Sequence, residues 1–384
     1  MSQKVVILGS GLAGYNVARE FRKLDKTSHL VIISRDAADF YSKPMLSNAL
    51  SGNKTAASLV MKPREKMAEE LNADIRPNTE VHAVSTAEQT VTLADGERME
   101  WSKLVFALGA DPIRLSLEGD GAEDILSVND LNDFARFAEK LDGVREVVLL
   151  GGGLIGCEFA NDLLSQDIRT TVVDIAERPL GRLLPDEAAG FFRERLEEAG
   201  VRFHFQAGAT AVERDGKRYR VRLNDGATLE ADLVVSAIGL RPRTQLASDA
   251  GCASARGIVT DRFLATSCPN VYAVGDCAEI NGLNLPFVMP IMHQARALAA
   301  TLSGTPTELD YPAMPVMVKT PACPTVVCPP AAGAEGSWQV EDDGEGVTAL
   351  FRSADDRLLG FVLLGTATAR RQELSSQVPR PFEA

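Results

Sequence analysis

At 384 residues the chain is long enough for two or three domains, each with its own core. Its hydrophobic share of 45% and charged share of 24% are those of an ordinary globular protein. A net charge of −13 argues against general nucleic-acid binding, which needs a basic footprint. No apolar run reaches eighteen residues, and Met1-Ser2-Gln3-Lys4 leads straight into a strand, so neither a membrane span nor a signal peptide is expected and a cytoplasmic setting is.

Residues 4–8 read as a buried parallel strand and Leu12 to Leu24 as the helix after it. Between them lies Gly9-Ser10-Gly11-Leu12-Ala13-Gly14, a G-x-G-x-x-G turn. In such a turn the first glycine makes a tight strand-to-helix reversal, the second lets a pyrophosphate approach the backbone, and the third lets helix and strand pack closely. The helix N-terminus then offers free N–H groups to the anion. Leu30 to Ile33 is the next strand, followed by Ser34-Arg35-Asp36. Asp36 is the carboxylate available for the adenosine ribose hydroxyls, the alternative being a solvated turn residue.

From Lys43 to Lys66 five basic residues (Lys43, Lys54, Lys62, Arg64, Lys66) stand against one acid, Glu65. On an acidic chain this local inversion is either a landing surface for an acidic partner or a solvated face. Residues 80–109 read as a small antiparallel addition, with Thr90–Leu93 and Leu104–Ala107 flanking an Asp95-Gly96 turn as a hairpin. Pro112 and Gly119 to Gly121 make a crossing into the next domain, and residues 128–141 read as a helix.

Then the first pattern returns, 142 positions on, as Val147-Val148-Leu149-Leu150-Gly151-Gly152-Gly153-Leu154-Ile155-Gly156. Two such turns in one chain suggest two dinucleotides and hence an electron relay. The following strand, Thr170–Asp174, places Asp174 eighteen residues past Gly156, where it bonds the ribose hydroxyls and repels a 2′-phosphate, favouring NADH. Asp225-Gly226 marks another hairpin in 210–231, and Leu233 to Gly239 repeats the strand-then-glycine closure of 104–109, as if one domain were inserted in another. Asn270 to Asp276 is a short strand ending in Gly275-Asp276, an acid placed to take hydrogen bonds from sugar-alcohol hydroxyls. A helix is expected from Pro290 to Leu302, and 310–384 reads as a small α+β appendage. The six cysteines (157, 252, 268, 277, 323 and 328) form no C-x-x-C pair, so reduced thiols are expected rather than a metal site.

Taken together, the turns at 9–14 and 151–156, Ala107-Leu108-Gly109-Ala110-Asp111-Pro112, Glu158, Gly239-Leu240-Arg241-Pro242 and Gly275-Asp276 resemble the two-dinucleotide flavoprotein superfamily that includes glutathione reductase. The nearest branch is the one that reduces small iron proteins. Tyr-Ser-Lys-Pro-Met-Leu-Ser at 41–47 and Val-Lys-Thr-Pro-Ala-Cys-Pro at 318–324 are similar to the bacterial rubredoxin reductases. The resemblance implies an α/β protein with one dinucleotide-binding domain inserted in another: FAD in 1–109 plus 240–309, NADH in 110–239, and a small α+β domain at 310–384. It implies FAD contacts at Gly9, Gly11, Ala13, Gly14, Asp36, Lys43, Pro44, Gly109, Gly275, Asp276, Val288 and Lys319, and NAD contacts at Gly151, Gly153, Ile155, Gly156, Glu158, Asp174 and Gly239. Lys43 and Glu158 are the implied pair beside flavin N5, which takes the hydride from NADH, and electrons then leave singly for rubredoxin. The superfamily's disulfide reductases and peroxidases carry a redox cysteine in the region of 41–47; this chain has none there, so electrons are expected to leave the flavin directly. Lys54, Lys62, Arg64 and Lys66 are the candidate dock. A ferredoxin reductase of an oxygenase system is the alternative, and a flavin- and NAD-binding signalling protein a third reading.

Overall fold

The computed structural model describes residues 3–383, and these divide into two compact units. The first comprises Met1–Lys43, Ala57–Asp111 and Leu240–Tyr311; the second comprises Pro44–Ala56, Pro112–Gly239 and Pro312–Ala384. The chain thus leaves the first unit and returns at positions within two residues of the glycine closures at 109 and 239, and it also crosses briefly at 44–56. The C-terminal segment belongs with the second unit.

The first unit is built on a five-stranded parallel sheet in the order Val271–Ala273, Lys103–Phe106, Lys4–Leu8, His29–Ile33, Ala73–Arg76. Its central strands are continuous apolar runs, with Val5 to Leu8 and Leu104 to Phe106 almost wholly buried, as a sheet covered on both faces requires. The helices Leu12–Leu24 and Val288–Leu302 pack together beside it. The antiparallel addition differs from the expected hairpin. Thr90–Leu93 turns at Asp95-Gly96 into Arg98–Glu100 and not into Leu104–Ala107, and Val81–Ser85 completes a three-stranded sheet. The reason is burial: Arg98-Met99-Glu100 alternates exposed, buried, exposed, which suits a half-solvated edge, whereas the apolar run at 104–106 is taken into the parallel sheet beside Lys4–Leu8.

The second unit repeats the plan. A four-stranded parallel sheet runs Arg202–Phe205, Arg169–Asp174, Glu146–Leu150, Leu233–Ser236, with a three-stranded antiparallel sheet (Ala209–Asp215, Arg218–Leu223, Thr228–Ala231) turning at Asp225-Gly226. The helix before it is Leu131–Lys140, shorter than 128–141 because Asp130 stops it with a capping box. There Asp130 Oδ1 accepts the Asp133 N–H at 2.9 Å, and Asp133 accepts from the Asp130 backbone in return. The C-terminal segment forms a five-stranded antiparallel sheet, with Leu358–Gly365 at its centre, followed by short helical turns. The whole is an α/β protein with two Rossmann-like domains and a small α+β domain at the C-terminus.

Candidate functional site: two glycine cradles and a buried carboxylate

In the first unit the turn at Gly9 has φ +117°, and a Cβ there would lie 2.2 Å from the Ala107 carbonyl oxygen. A Cβ on Gly14 would lie 1.9 Å from Gly9 O. These two glycines are required by the protein's own packing. Gly11 is not: a Cβ there would meet nothing within 4 Å, and the helix that follows has no side-chain cap. Open space in front of uncapped N–H groups is what a pyrophosphate needs. Beside it Gly275 closes on the Cβ of Ala13, where an added Cβ would come to 2.7 Å.

Asp36 is held in place by its neighbours. Its Oδ1 accepts from Ser34 Oγ at 2.6 Å, from Ser10 Oγ at 3.2 Å and from the Ala38 N–H at 2.9 Å. Arg35 points instead to Asp111, which also takes the Arg243 Nε–H at 2.8 Å; the Arg243 hydrogen bonds hold the Asp111 carboxyl below the usual range. Arg243 Nη1 in turn donates to Leu108 O at 2.6 Å, bracing the closure at Gly109. Asp276 forms an ion pair with Lys43 at 3.7 Å. The Gly275 N–H is held by the buried Gln294 side chain at 2.7 Å, whose Nε2 donates to the Tyr311 hydroxyl at 2.8 Å. The helix Val288–Leu302 begins two residues before the expected Pro290, and Val288 is partly exposed at its uncapped start.

The second unit has the same cradle. Gly151 has φ +108° and sits against Ala237 O; a Cβ on Gly156 would lie 1.9 Å from Gly151 O, while one on Gly153 would meet nothing within 4 Å. Ile155 is exposed at the mouth, and Gly239 closes the last strand against Ile113. Asp174 accepts the Gly152 N–H on one oxygen and the Ala176 N–H at 2.7 Å on the other. The carboxylate is therefore fixed beside the turn. Asp174→Ala is expected to reduce catalytic efficiency with NADH by about 10–100-fold, the scale of lost charge-assisted hydrogen bonds, and to leave that with NADPH little changed. Steady-state comparison of the two nucleotides checks this; a wild-type preference for NADPH would overturn the ribose assignment.

Glu158, one turn into the helix Leu154–Leu164, is 0% exposed. Lys319, not paired with it in the sequence reading, reaches this carboxylate: Lys319 Nζ pairs with Oε2 and the Lys319 N–H donates to Oε1 at 2.9 Å. Ser47 Oγ adds a bond to Oε2 at 2.5 Å. On the same helix face Asp162 accepts the Leu50 and Ser51 N–H groups at 2.8 and 2.9 Å, although burial pushes its carboxyl up. Lys319 and Pro44 lie in the second unit, and Lys43, Asp36 and Asp276 in the first.

Sequence reading passed over Ser47, Asp162, Gln294 and Arg243. Asp162 had a signal, its spacing of four from Glu158 on one helix; Gln294 had none, since nothing in the helix sequence sets it apart from its polar neighbours His293 and Arg296. The basic stretch is less bare than its sequence. The helix Arg64–Leu71 brings Glu70 back to Lys62, and Arg64 Nε pairs with Glu65 at 2.9 Å. Lys54 and Lys66 are exposed. The six cysteines are buried free thiols. Burial pushes Cys323, Cys328 and Cys277 up to about 11 and Cys252 up to about 12, away from nucleophilic thiolates. Among the described residues no helix is long and apolar enough to cross a membrane.

Comparison with known proteins accords with this layout. Residues 308–378 match the rubredoxin binding C-terminal domain family. A rubredoxin-NAD(+) reductase of Alcanivorax borkumensis is 48% identical over 98% of both chains, and one of Acinetobacter baylyi is 48% identical over 97% of this chain and 96% of that protein. The crystal structure of a ferredoxin reductase from Rhodopseudomonas palustris superposes with a TM-score of 0.89 at 26% identity, covering 100% of this chain and 97% of that one. Residues 3–300, which hold both glycine cradles, match the pyridine nucleotide-disulphide oxidoreductase family, and the protein belongs to it.

Proposed function

We propose that the protein is an FAD-dependent NADH:rubredoxin oxidoreductase. The observation that carries the reading is the combination, in one chain, of two cradles with an open second glycine and a C-terminal segment that matches a rubredoxin-binding family. The cradle at 9–14 with Asp36, Gly275 and Asp276 fits FAD: uncapped N–H groups for its pyrophosphate, a fixed carboxylate for its ribose, and a second for its sugar-alcohol chain. The cradle at 151–156 with Asp174 fits NADH. Bound FAD supplies an acceptor that takes two electrons as hydride and releases them one at a time. The protein's part is to bind and orient. Asp174 registers the nucleotide by its ribose, and Glu158 with Lys319 and Ser47 holds a buried, hydrogen-bonded charge pair. The uncapped start of the helix at Val288 presents a positive end to developing negative charge. Residues 310–384 receive rubredoxin, and six free thiols fit a cytoplasmic setting.

Anaerobic mixing with NADH, followed by titration with rubredoxin, tests this reading. Full reduction of a bound flavin by NADH and rapid turnover with rubredoxin are expected; folded protein that binds no flavin after reconstitution would end it. The likeness to a ferredoxin reductase favours a second reading, in which a [2Fe–2S] ferredoxin is the better acceptor, and titration of both carriers separates the two. Rapid turnover with either would displace a purely signalling role. The docking surface is transient and electrostatic in this reading. Because Lys62 and Arg64 already have acidic partners, Lys54 and Lys66 are the two dock candidates left to test. Reversing both to Glu is expected to slow reduction of an acidic rubredoxin and flatten its salt dependence, with NADH oxidation by an uncharged quinone unchanged. Equal rates for mutant and wild type at low salt would move the dock elsewhere.

A further inference from the structure

We propose that Asn161, with Asp162 beside it, is a positioning residue for the iron-protein partner, setting the conformation of the partner-binding segment at 319–322 from the helix that carries the nucleotide cradle. The inference rests on the rubredoxin reading of the C-terminal segment. Glu158, Asn161 and Asp162 stand at i, i+3 and i+4 and so share one face of Leu154–Leu164. That face ties down two segments far apart in sequence, largely through their backbones. The Ala322 N–H donates to Asn161 Oδ1 at 3.0 Å, and the Lys319 N–H donates to Glu158 Oε1 at 2.9 Å. The Leu50 and Ser51 N–H groups donate to the two oxygens of Asp162, which is 2% exposed.

The turn at 319–322 has two backbone bonds of its own, Thr320 N–H to Val318 O at 3.0 Å and Cys323 N–H to Thr320 O at 2.9 Å, and the Lys319 and Ala322 N–H groups are left to the helix. The strand Val316–Val318 ends just before 319–322, and the next begins at Thr325. A cleft of about 230 Å³ opens at this junction, and its lining includes Asn161, Asp162, Val318, Lys319, Thr320 and Pro321. Glu158 and Asn161 thus anchor this turn to one helix through the Lys319 and Ala322 N–H groups, and the helix begins at the cradle proposed for NADH. Releasing Ala322 lets the turn shift at that end, while Lys319, tied separately to Glu158, and the glycine turn, packed backbone to backbone at Gly151 and Gly156, stay as they were.

The test compares Asn161→Ala with Asn161→Asp in the full-length, flavin-loaded protein. Asn161→Ala removes the acceptor for the Ala322 N–H; Asn161→Asp keeps an oxygen there. In steady state with rubredoxin, Asn161→Ala is expected to raise KM for rubredoxin about three- to tenfold with kcat nearly constant, the scale of one lost, partly buried hydrogen bond. Asn161→Asp is expected to restore KM to within about twofold of wild type by keeping that bond. The NADH-to-ferricyanide rate of both variants should match wild type. An unchanged KM in Asn161→Ala, or a ferricyanide rate that falls in step with rubredoxin reduction, would overturn the proposal. So would failure of Asn161→Asp to restore KM when its thermal melt matches wild type. If wild type itself reduces no rubredoxin, the functional reading fails instead, and the ferricyanide control identifies that case.

Discussion

Asp276→Ala is expected to fold and yet to lose flavin, with the FAD dissociation constant rising about 10–100-fold, the equivalent of about 1.5–3 kcal/mol for hydrogen bonds to a charged group. Little of the protein's own packing depends on this carboxylate. Its ion-pair partner, Lys43, is 3.7 Å away and about one-third exposed, so losing the pair costs under about 1 kcal/mol of stability. The Gly275 backbone beside it is held independently by Gln294. Titration of the apoprotein with FAD by flavin fluorescence measures the constant, and thermal melts of the two apoproteins should nearly coincide. An unchanged dissociation constant would return Asp276 to the status of a turn residue, whereas a melt far below wild type would show that it serves the fold.

Glu158→Ala should have the largest effect on turnover and a clear one on stability. Truncation leaves the Lys319 ammonium without its counter-charge and the Lys319 N–H and Ser47 hydroxyl without their acceptor. Removing one partner of a buried pair costs about 3–5 kcal/mol; because the Lys319 side chain is 27% exposed, a value near the bottom of that range is expected. That corresponds to a fall in Tm of several degrees. Flavin reduction by NADH should slow by about 10–100-fold, as when a segment bearing reactive groups moves by about an ångström. Glu158→Gln separates the contributions: it can keep a hydrogen bond from the Lys319 N–H but loses the charge. If stopped-flow reduction by NADH is as fast in both variants as in wild type, Glu158 is a structural anchor alone.

The sequence by itself determined the two cradles, because each rests on a local rule. An apolar strand, a glycine turn and a third glycine whose Cβ would collide with the first glycine's carbonyl are all properties of about ten consecutive residues, although the contacts of Gly9 with Ala107 and of Gly151 with Ala237 are not. The acids Asp36, Asp174 and Asp276 were legible for the same reason, each standing at or just beyond the end of a strand whose apolar run announces it. Partners distant in sequence were decided only in the tertiary structure. The pairing of Glu158 with Lys319 spans 161 positions and that of Asp162 with Leu50 spans 112. No periodicity encodes which of forty basic side chains will reach a buried carboxylate. The hairpin at 90–107 went astray for a related reason: a turn signal tells where a chain reverses, but burial chooses the strand that receives it, and Leu104 to Phe106 gained more between two covered faces than Arg98-Met99-Glu100 would have. Charge followed the same division. Lys62 and Arg64 are basic in any sequence count, but a helix that returns Glu70 to Lys62 turns part of that surface into ion pairs, and only the folded chain fixes how much field remains for a partner.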